Sequence, residues 1–382
     1  MIDSKNIFID DTTLRDGEQM PGVYFSADEK LEIATRLNDL GLERIELFAA
    51  YNDSDRKAAK MITSAGFKTR IAAWCRANTS DISDAMKSGV KEVGISHPVS
   101  DLHLEKKLGI TRSEALKRVE KAVDFAVEHG LRVFVHGEDS TRSDWDFEKK
   151  IIDKISACKA ETYRVCDTVG KALPLQVEEK MQRIIQETSI KQIEFHGHDD
   201  FGFATSNTLA ALKGGAQWAS TTVLGIGERA GNTALEKILL ILNYHFKIEK
   251  YDLSNLTSLA EYVSKSGGFP MPLNKAVVGR NVFAHESGIH VHGILKNPLS
   301  YEPFPPKLVG AERKLIIGKH SGKSLIKHKL KELYGENALE NEKGVDNVMK
   351  NVKELFDSER KSALTDVEFK KIARDEGFSK NH

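Results

Sequence analysis

Eight short runs rich in β-branched and aromatic residues recur through the first two thirds of the chain. They are NIFID (6–10), RIELF (44–48), RIAAW (70–74), KEVGI (91–95), RVFVH (132–136), TYRVC (162–166), KQIEF (191–195) and STTVL (220–224). Between them lie segments, such as residues 26–41, 112–130 and 173–187, whose apolar spacing is typical of amphipathic helices. Strand and helix alternating eight times predict an α/β protein with a (β/α)8 TIM barrel, and a doubly wound open sheet is the alternative.

The alternation ends near residue 246, and a different pattern follows. Proline-containing stretches at 267–279 and 297–310 predict irregular linkers, whereas KSLIKHKLKELYG (323–335) and EKGVDNVMKNVKELFDSERK (342–361) predict amphipathic helices. We therefore expect a TIM-barrel catalytic domain at 1–265, a linker subdomain at 266–310 and a small helical subdomain at 311–375. The fold class is a barrel followed by a small, mostly helical C-terminal appendage.

Composition narrows the classes of function. The chain of 382 residues has 56 Lys and Arg against 56 Asp and Glu, so no global basic field favours nucleic acid or an anionic membrane. Its three cysteines have neither zinc-finger spacing nor the density of a disulfide scaffold, which fits a reducing cytoplasm. No apolar run approaches the roughly 20 residues of a membrane span. We expect a cytoplasmic protein with no nucleic-acid or membrane partner.

Candidate chemistry is concentrated where the predicted strands end. In FHGHDDFG (195–202), His196 and His198 are two residues apart, so in an extended strand both imidazoles leave the same face. Active-site residues of TIM barrels lie at these C-terminal strand ends, and the first strand ends in DDTTLRDGEQ. Two imidazoles with Asp11 or Asp16 would suit a divalent ion that also accepts substrate oxygens. The alternative is that both aspartates only cap the following turn.

Several motifs in the expected order resemble those of a known family. DTTLRDGEQ, HGHDDFG, GIGERAGNT, HESGIHVHGILKNP, YEPF and IGKHSG are similar to motifs of the acetyl-CoA-dependent Claisen condensing enzymes, namely homocitrate, 2-isopropylmalate and citramalate synthases. The resemblance spans roughly residues 6–330. It implies a metal-dependent barrel named for its Asp, Arg and Glu, a divalent ion (Mg, Mn or Zn), acetyl-CoA and a 2-oxo acid as substrates, and a homodimer with shared active sites.

Matched by position, the resemblance assigns roles to single residues. It implies Asp16, His196 and His198 as metal ligands, Arg15 opposite the reacting carbonyl, Thr168 on the substrate carboxylate, Gln19 at the substrate, Glu138 as the glutamate of the family's name, and Glu228 and Asn232 as supports of the ligands. It also implies that His290 and Tyr301 reach the partner subunit's active site from the linker subdomain. Loss of a methyl proton from acetyl-CoA requires a base, for which His290, relayed through Tyr301 and Glu138, is the candidate.

The identity of the 2-oxo acid depends on finer similarities. AAWCRAN (72–78), residues 94–112 and HESGIH resemble nitrogenase-associated homocitrate synthases, which favours 2-oxoglutarate. Lysine-pathway homocitrate synthases carry REGEQ and an R-x-S-x-E strand, where this chain has RDGEQ and the residues Phe134, His136 and Glu138. The loop LFAAYNDSD also departs from the pattern of the nitrogenase-associated enzymes.

A distal carboxylate needs a cationic or hydrogen-bonding partner, for which Arg76, His136 and Arg164 are candidates. The alternatives are a citramalate, 2-isopropylmalate or citrate-type synthase, a lyase of the same superfamily, and a non-catalytic paralogue.

Overall fold

The structure is a computed structural model that describes residues 6–357 and 360–379. The chain forms two compact units that divide between Met271 and Pro272. The first unit extends slightly past residue 265, because the turn in which Phe269 donates its N–H to the Ser264 carbonyl closes the last helix of that unit. Among the described residues, no helix is both long enough and apolar enough to cross a membrane.

Eight parallel strands of the first unit close into a barrel. Each strand pairs with the next along the chain, and the eighth returns to the first, with Phe8 opposite Trp218. The strands are β1 (Phe8–Asp11), β2 (Arg44–Leu47), β3 (Arg70–Arg76), β4 (Glu92–Pro98), β5 (Arg132–Glu138), β6 (Thr162–Asp167), β7 (Gln192–Gly197) and β8 (Trp218–Thr221). The predicted (β/α)8 barrel is confirmed, and the open-sheet alternative is wrong.

Helices lie between consecutive strands and after the last one. They are α1 (Ala27–Asp39), α2 (Asp53–Thr63), α3 (Thr79–Met86), α4 (Asp101–His103), α5 (Arg112–Glu128), α6 (Trp145–Ala157), α7 (Pro174–Glu187), α8 (Ala204–Lys213), α9 (Leu235–Phe246) and α10 (Leu256–Ser266). Local sequence fixes where helices begin: Ser26 and Glu29 form a reciprocal capping box at α1, as Thr111 and Glu114 do at α5. A π-turn at Leu104–Leu108 continues α4.

The eighth strand is the one most displaced from its prediction, which was 220–224. After Thr221 the chain leaves the barrel, because the Thr222 N–H bonds to the Thr233 carbonyl rather than to a neighbouring strand. Leu224 then takes a left-handed conformation at φ 60° inside a tight turn. The β-branched run at 220–224 therefore starts inside the strand and ends in the loop beyond it.

Charged side chains fill much of the barrel interior. Arg44 and Arg164 are fully buried, and each guanidinium contacts three carboxylates. The carboxylates come from β1, β2, β4 and β7: Asp10, Glu46, Glu92 and Glu194. Buried charges are tolerated when they are paired, and removing one partner of such a pair costs about 3–5 kcal/mol. The interior is therefore a mutually dependent ionic network beneath the C-terminal rim.

The second unit has its own apolar core and is mostly helical. It contains α11 (Gly288–Lys296), α12 (Lys323–Tyr334), α13 (Glu342–Asp357) and α14 (Asp366–Asp375), with a short parallel pair of β9 (Ala284–His285) and β10 (Lys314–Leu315). The helix predicted at 342–361 is observed to Asp357, beyond which Ser358 and Glu359 lie outside the described residues. Buried apolar residues from all four helices form the core, among them Val291, Leu325, Ile326, Val348 and Phe369.

Candidate active site

His196 and His198 converge at the end of β7, as their spacing predicts. Their Nε2 atoms are 3.3 Å apart, while Nδ1 of His198 faces the Gly231 carbonyl at 3.2 Å and Nδ1 of His196 faces the Ser220 hydroxyl at 3.0 Å. A carbonyl can only accept, so Nδ1 of His198 carries the proton and its Nε2 presents a lone pair. Burial lowers the pKa of both imidazoles, that of His196 to about 4, so both are neutral at pH 7.

Asp16 completes this cluster from the loop after β1. Its Oδ2 lies 3.6 Å from Nε2 of His196 and 3.9 Å from Nε2 of His198, and Arg15 donates to the same oxygen at 2.6 Å. Burial would raise the pKa of Asp16, but Arg15 and the imidazoles hold it well below its usual range. Asp11 serves a different purpose: its Oδ1 accepts from the Thr13 N–H at 2.9 Å and caps the turn. Asp11 therefore has the capping role, whereas Asp16 lies in the cluster with the two histidines.

The donor set fits a divalent cation. One ligand atom from each of Asp16, His196 and His198 lies within 4.8 Å of the others, and all three residues are buried. Asn232 donates to Oδ1 of Asp16 at 2.8 Å, and its own Oδ1 is buried without a hydrogen-bond partner in the described part of the chain. Two neutral imidazoles beside a carboxylate, with the unpartnered amide oxygen of Asn232 on the residue that contacts this carboxylate, are chemically suited to hold a metal ion.

Arg15 is held from two sides. Its Nε donates to Oε1 of Glu46 at 2.5 Å, while Nη1 contacts Asp16. Glu46 is fully buried on β2, and its other oxygen contacts Nη1 of Arg164 at 2.9 Å and Nε2 of His136 at 3.2 Å. Glu46 was not among the predicted site residues, although a glutamate within the short, fully buried strand RIEL is a signal of a paired interior charge. It connects Arg15 to the ionic network of the barrel.

Glu138 lies elsewhere on the rim. Its Oε1 accepts from Nδ1 of His103 at 2.8 Å and from Nζ of Lys107 at 2.6 Å, both donors coming from the connection between β4 and α5. The resemblance implied Glu138 as the glutamate of the family's name, but the glutamate that contacts Arg15 is Glu46. Its position at the end of a predicted strand placed Glu138 on the correct rim, yet only the closed barrel shows which carboxylate contacts Arg15.

The three candidates for a distal carboxylate lie in different environments. Arg164 is buried among Asp10, Glu46 and Glu194. His136 is buried against Glu46, and burial together with Arg164 holds its pKa well below the ordinary value. Arg76 is exposed at the end of β3 and pairs with Asp81 at 2.8 Å. The structure therefore brings His136 and Arg164 together, 3.4 Å apart on the same oxygen of Glu46, and leaves Arg76 apart from them. Each of the three already contacts a carboxylate of the protein.

Thr168 and Gln19 follow β6 and β1, respectively, on the same rim. The Thr168 hydroxyl accepts from the Asp139 N–H at 2.8 Å, which fixes the oxygen and directs its own proton elsewhere. Gln19 ends the turn that starts at Gly17, and its side chain is exposed. Both positions are compatible with substrate contact, which stays a prediction.

Residues after β8 contact the cluster of Asp16, His196 and His198 and link neighbouring loops. The Glu228 N–H lies 3.4 Å from Oδ1 of Asp16, so Glu228 contributes through its backbone. Arg229, at φ 58°, donates to both carboxylate oxygens of Asp200 and to the Thr168 carbonyl at 2.7 Å. This arginine was not among the predicted site residues, and it joins the loops that follow β6, β7 and β8.

His290 and Tyr301 are neighbours within the second unit. Their ring centroids are 4.3 Å apart and both side chains are exposed. His285 instead contacts Glu302 at 3.3 Å, and Nδ1 of His292 faces the Ser324 hydroxyl. HESGIH therefore presents one exposed histidine beside a tyrosine.

Comparison with known proteins finds a family match for each of the two units. The HMGL-like family matches residues 6–263, and the homocitrate synthase post-HMGL domain-like family matches residues 277–360. The chain is 43% identical over 340 residues to 2-isopropylmalate synthase 2 of Caldanaerobacter subterraneus subsp. tengcongensis, covering 88% of each chain. It is 44% identical over 327 residues to a homocitrate synthase of Frankia alni, covering 85% of this chain and 93% of that one.

Solved structures show the same barrel. A hydroxymethylglutaryl-CoA lyase from Pseudomonas aeruginosa superposes with a TM-score of 0.63 at 20% identity, covering 70% of this chain and 94% of that one. At that identity the likeness concerns the fold alone. Because the family matches span most of the chain and relatives above 40% identity align over more than four fifths of it, the chain belongs to the HMGL-like family of barrels followed by a homocitrate synthase post-HMGL domain, the family of the homocitrate and 2-isopropylmalate synthases.

Proposed function

We propose that the protein joins acetyl-CoA to a 2-oxo acid by a Claisen condensation and then hydrolyses the thioester, as a homodimer with shared active sites. The observation that carries the proposal is the convergence of Asp16, His196 and His198 beside the Arg15 guanidinium on one barrel rim. A divalent ion such as Mg²⁺, Mn²⁺ or Zn²⁺ held by these three residues would supply Lewis-acid polarisation of a ketone.

Arg15 supplies positive charge where negative charge develops. Buried between Glu46 and Asp16, the guanidinium is fixed in orientation before substrate arrives. As the new carbon–carbon bond forms, the electron pair of the carbonyl π bond moves onto its oxygen, and a preorganised donor stabilises that charge more than it stabilises the neutral ketone. The Thr168 hydroxyl, with its oxygen anchored by the Asp139 N–H, is free to donate to a substrate carboxylate.

The acetyl group must lose a methyl proton to become the nucleophile. His290, whose ring centroid lies 4.3 Å from that of Tyr301, takes this proton in our proposal, with Tyr301 and Glu138 as relays. The resulting carbanion attacks the 2-oxo carbon, the oxygen is then protonated, and water cleaves the thioester to release the CoA thiol and a 2-hydroxy acid. His290 acts from the partner subunit, which requires the dimer.

2-Oxoglutarate is the favoured acceptor, which would make the product homocitrate. The support is the group of quoted motifs and 44% identity to a homocitrate synthase. A second candidate acceptor is 2-oxoisovalerate or pyruvate, favoured by a specific observation: Arg76, His136 and Arg164 each contact a carboxylate of the protein itself. An apolar acceptor tail needs no such partner. A lyase of the same superfamily is less favoured, because residues 277–360, which carry HESGIH and YEPF, match the homocitrate synthase post-HMGL domain.

A panel of 2-oxo acids tests the proposal. Purified protein with a divalent metal and acetyl-CoA should release free thiol only when a 2-oxo acid is present. The Arg15→Lys variant keeps the buried charge but loses the planar fork, so we expect its kcat to fall by about 10²–10³. Absence of thiol release with every acceptor, from protein of verified metal content, would refute the proposed function.

A further inference from the structure

A cleft of about 500 Å³ opens at the C-terminal ends of β3, β4 and β5, on the rim that also carries the candidate active site. Its outer wall is formed by α3 and α5. Trp74, Pro98 and Leu108 provide apolar lining, and Glu138 belongs to the lining at the end of β5. Neither the metal cluster nor Arg15 uses this space.

Cations dominate the charged lining of the cleft. Arg76, Lys107, Arg118 and Lys121 line it, against the single carboxylate of Glu138. Arg76 pairs with Asp81 and Lys107 pairs with Glu138. Arg118 and Lys121, one helical turn apart on α5, are exposed, and within residues 6–357 and 360–379 neither has an ion-pair partner. Two uncompensated cations at this spacing suit a phosphate-bearing ligand.

His97 adds a second and chemically different signal. It is 4% exposed and lines the same cleft. Its Nδ1 donates to the Pro98 carbonyl at 2.8 Å, which leaves Nε2 as an acceptor, and that Nε2 is buried with no hydrogen-bond partner among the described residues. Burial lowers the pKa of His97, so the ring is neutral. A neutral acceptor calls for an N–H or O–H donor rather than a phosphate.

We infer that this cleft binds the 3′-phosphoadenosine diphosphate portion of acetyl-CoA, with Arg118 and Lys121 at its phosphates and His97 accepting from an amino or hydroxyl group of the nucleoside. The inference rests on the proposed function. It explains why cations and an unpartnered acceptor occur together, since a nucleotide carries both anionic phosphates and N–H and O–H donors. Because Arg76 lines this cleft, the inference places Arg76 near the nucleotide rather than near the 2-oxo acid.

Binding of adenosine 3′,5′-bisphosphate, measured by isothermal titration calorimetry on the full chain, tests the inference without turnover. We expect wild-type protein to bind it and the Arg118→Ala/Lys121→Ala double variant to bind at least tenfold more weakly. Lys117→Ala removes an exposed charge from the same helix outside the cleft and should bind as wild type does. His97→Phe should weaken the bisphosphate while leaving binding of pyrophosphate unchanged.

Unchanged affinity in the double variant would overturn the inference, as would equal weakening in Lys117→Ala. Competition separates the two possible sources of a nucleotide: the bisphosphate should raise the KM for acetyl-CoA without changing kcat. Binding of ATP that leaves this KM unchanged would indicate a regulatory nucleotide and refute the CoA assignment. The protein could also bind the bisphosphate through Arg118 and Lys121 and yet condense no 2-oxo acid. That result would refute the proposed function but not nucleotide binding in the cleft.

Discussion

The Nε2 atoms of His196 and His198 face each other at 3.3 Å, and the Nδ1 of each ring is fixed by a group on the next loop or strand. The hydrogen bonds to Ser220 and Gly231 hold the two rings so that both Nε2 atoms face the same space beside Asp16, and partners of this kind fix the orientation of ligating histidines.

The first prediction is that Asp16→Ala, His196→Ala and His198→Ala each lose bound divalent metal while the barrel stays folded. The reason is that all three lie on the rim, whereas the packed core lies below. Metal analysis of the purified variants, together with circular dichroism, gives the result.

Asp11→Asn is the matched control for these variants. Asp11 lies in the same segment, but its carboxylate caps a turn, a role that an asparagine oxygen can keep. It should retain full metal content. Wild-type metal content in any of the three rim variants would remove that residue from the ligand set.

The second prediction concerns Glu46, which contacts Arg15, Arg164 and His136. Glu46→Gln removes the countercharge shared by two buried guanidinium groups, so we expect a loss of about 3 kcal/mol in stability. The three tryptophans are Trp74, Trp145 and Trp218, all in the barrel unit, so their fluorescence during urea unfolding reports on that unit.

Glu194→Gln is the comparison for Glu46→Gln. Burial raises the pKa of Glu194 to about 7, which shows that its environment accepts a neutral side chain more readily than that of Glu46, whose pKa lies well below the usual range. The urea midpoint should therefore fall less in Glu194→Gln. A larger fall in Glu194→Gln would mean that Glu46 is not the principal countercharge of Arg15 and Arg164.

The third prediction is a pH dependence that originates at Asp11. Burial raises its pKa from 3.8 to about 7, so between these values the folded protein binds a proton that the unfolded chain releases. This contribution to stability is present below about pH 4 and is lost as the pH rises through about 7. Asp11→Asn should therefore gain stability relative to wild type as the pH is raised from 5 to 8, measured as the difference in urea midpoints. A difference that shrinks over this range would contradict the assignment.

The amino-acid sequence was sufficient to predict the barrel and the convergence at its rim. Strand periodicity placed each predicted strand on an observed one, and the two-residue spacing of His196 and His198 predicted their common face. The end of β8 was misplaced, because β-branched residues favour a strand without showing where the chain turns away.

Glu46 was missed for a different reason. Its partners Arg15, Arg164 and His136 come from three other segments, and only closure of the barrel brings them together. In a pattern of alternating apolar and polar residues, a charged residue is ordinarily expected to face solvent. Glu138 was assigned to the correct rim, but its contacts with His103 and Lys107 also depend on segments that only the fold brings together.

The fourth prediction tests sharing of active sites between subunits. Asp16→Ala and His290→Ala should each be inactive, but a heterodimer contains one site with both native residues if His290 acts on the partner's site. Mixing with subunit exchange should restore up to about a quarter of the wild-type rate, since half of the dimers are mixed and one of their two sites is intact.

The control pairs His290→Ala with Tyr301→Phe. Both changes lie in the second unit, so every site in their heterodimer receives one altered side chain and no recovery is expected. Failure of the Asp16→Ala and His290→Ala mixture to recover, after exchange is verified by mass spectrometry, would mean that His290 serves its own subunit or no site.

The central claim is formation of a carbon–carbon bond between acetyl-CoA and a 2-oxo acid at the Asp16, His196 and His198 cluster. The most direct measurement is carbon-13 NMR of a reaction containing acetyl-CoA labelled at the methyl carbon and 2-oxoglutarate, with 2-oxoisovalerate and pyruvate in parallel. The account predicts that, with at least one of the three acceptors, the label appears as a methylene next to a quaternary carbon that carries a hydroxyl group. Asp16→Ala should give no labelled methylene. Label that remains as a methyl group, in acetyl-CoA or in acetate, with every acceptor and with the metal bound, would contradict it.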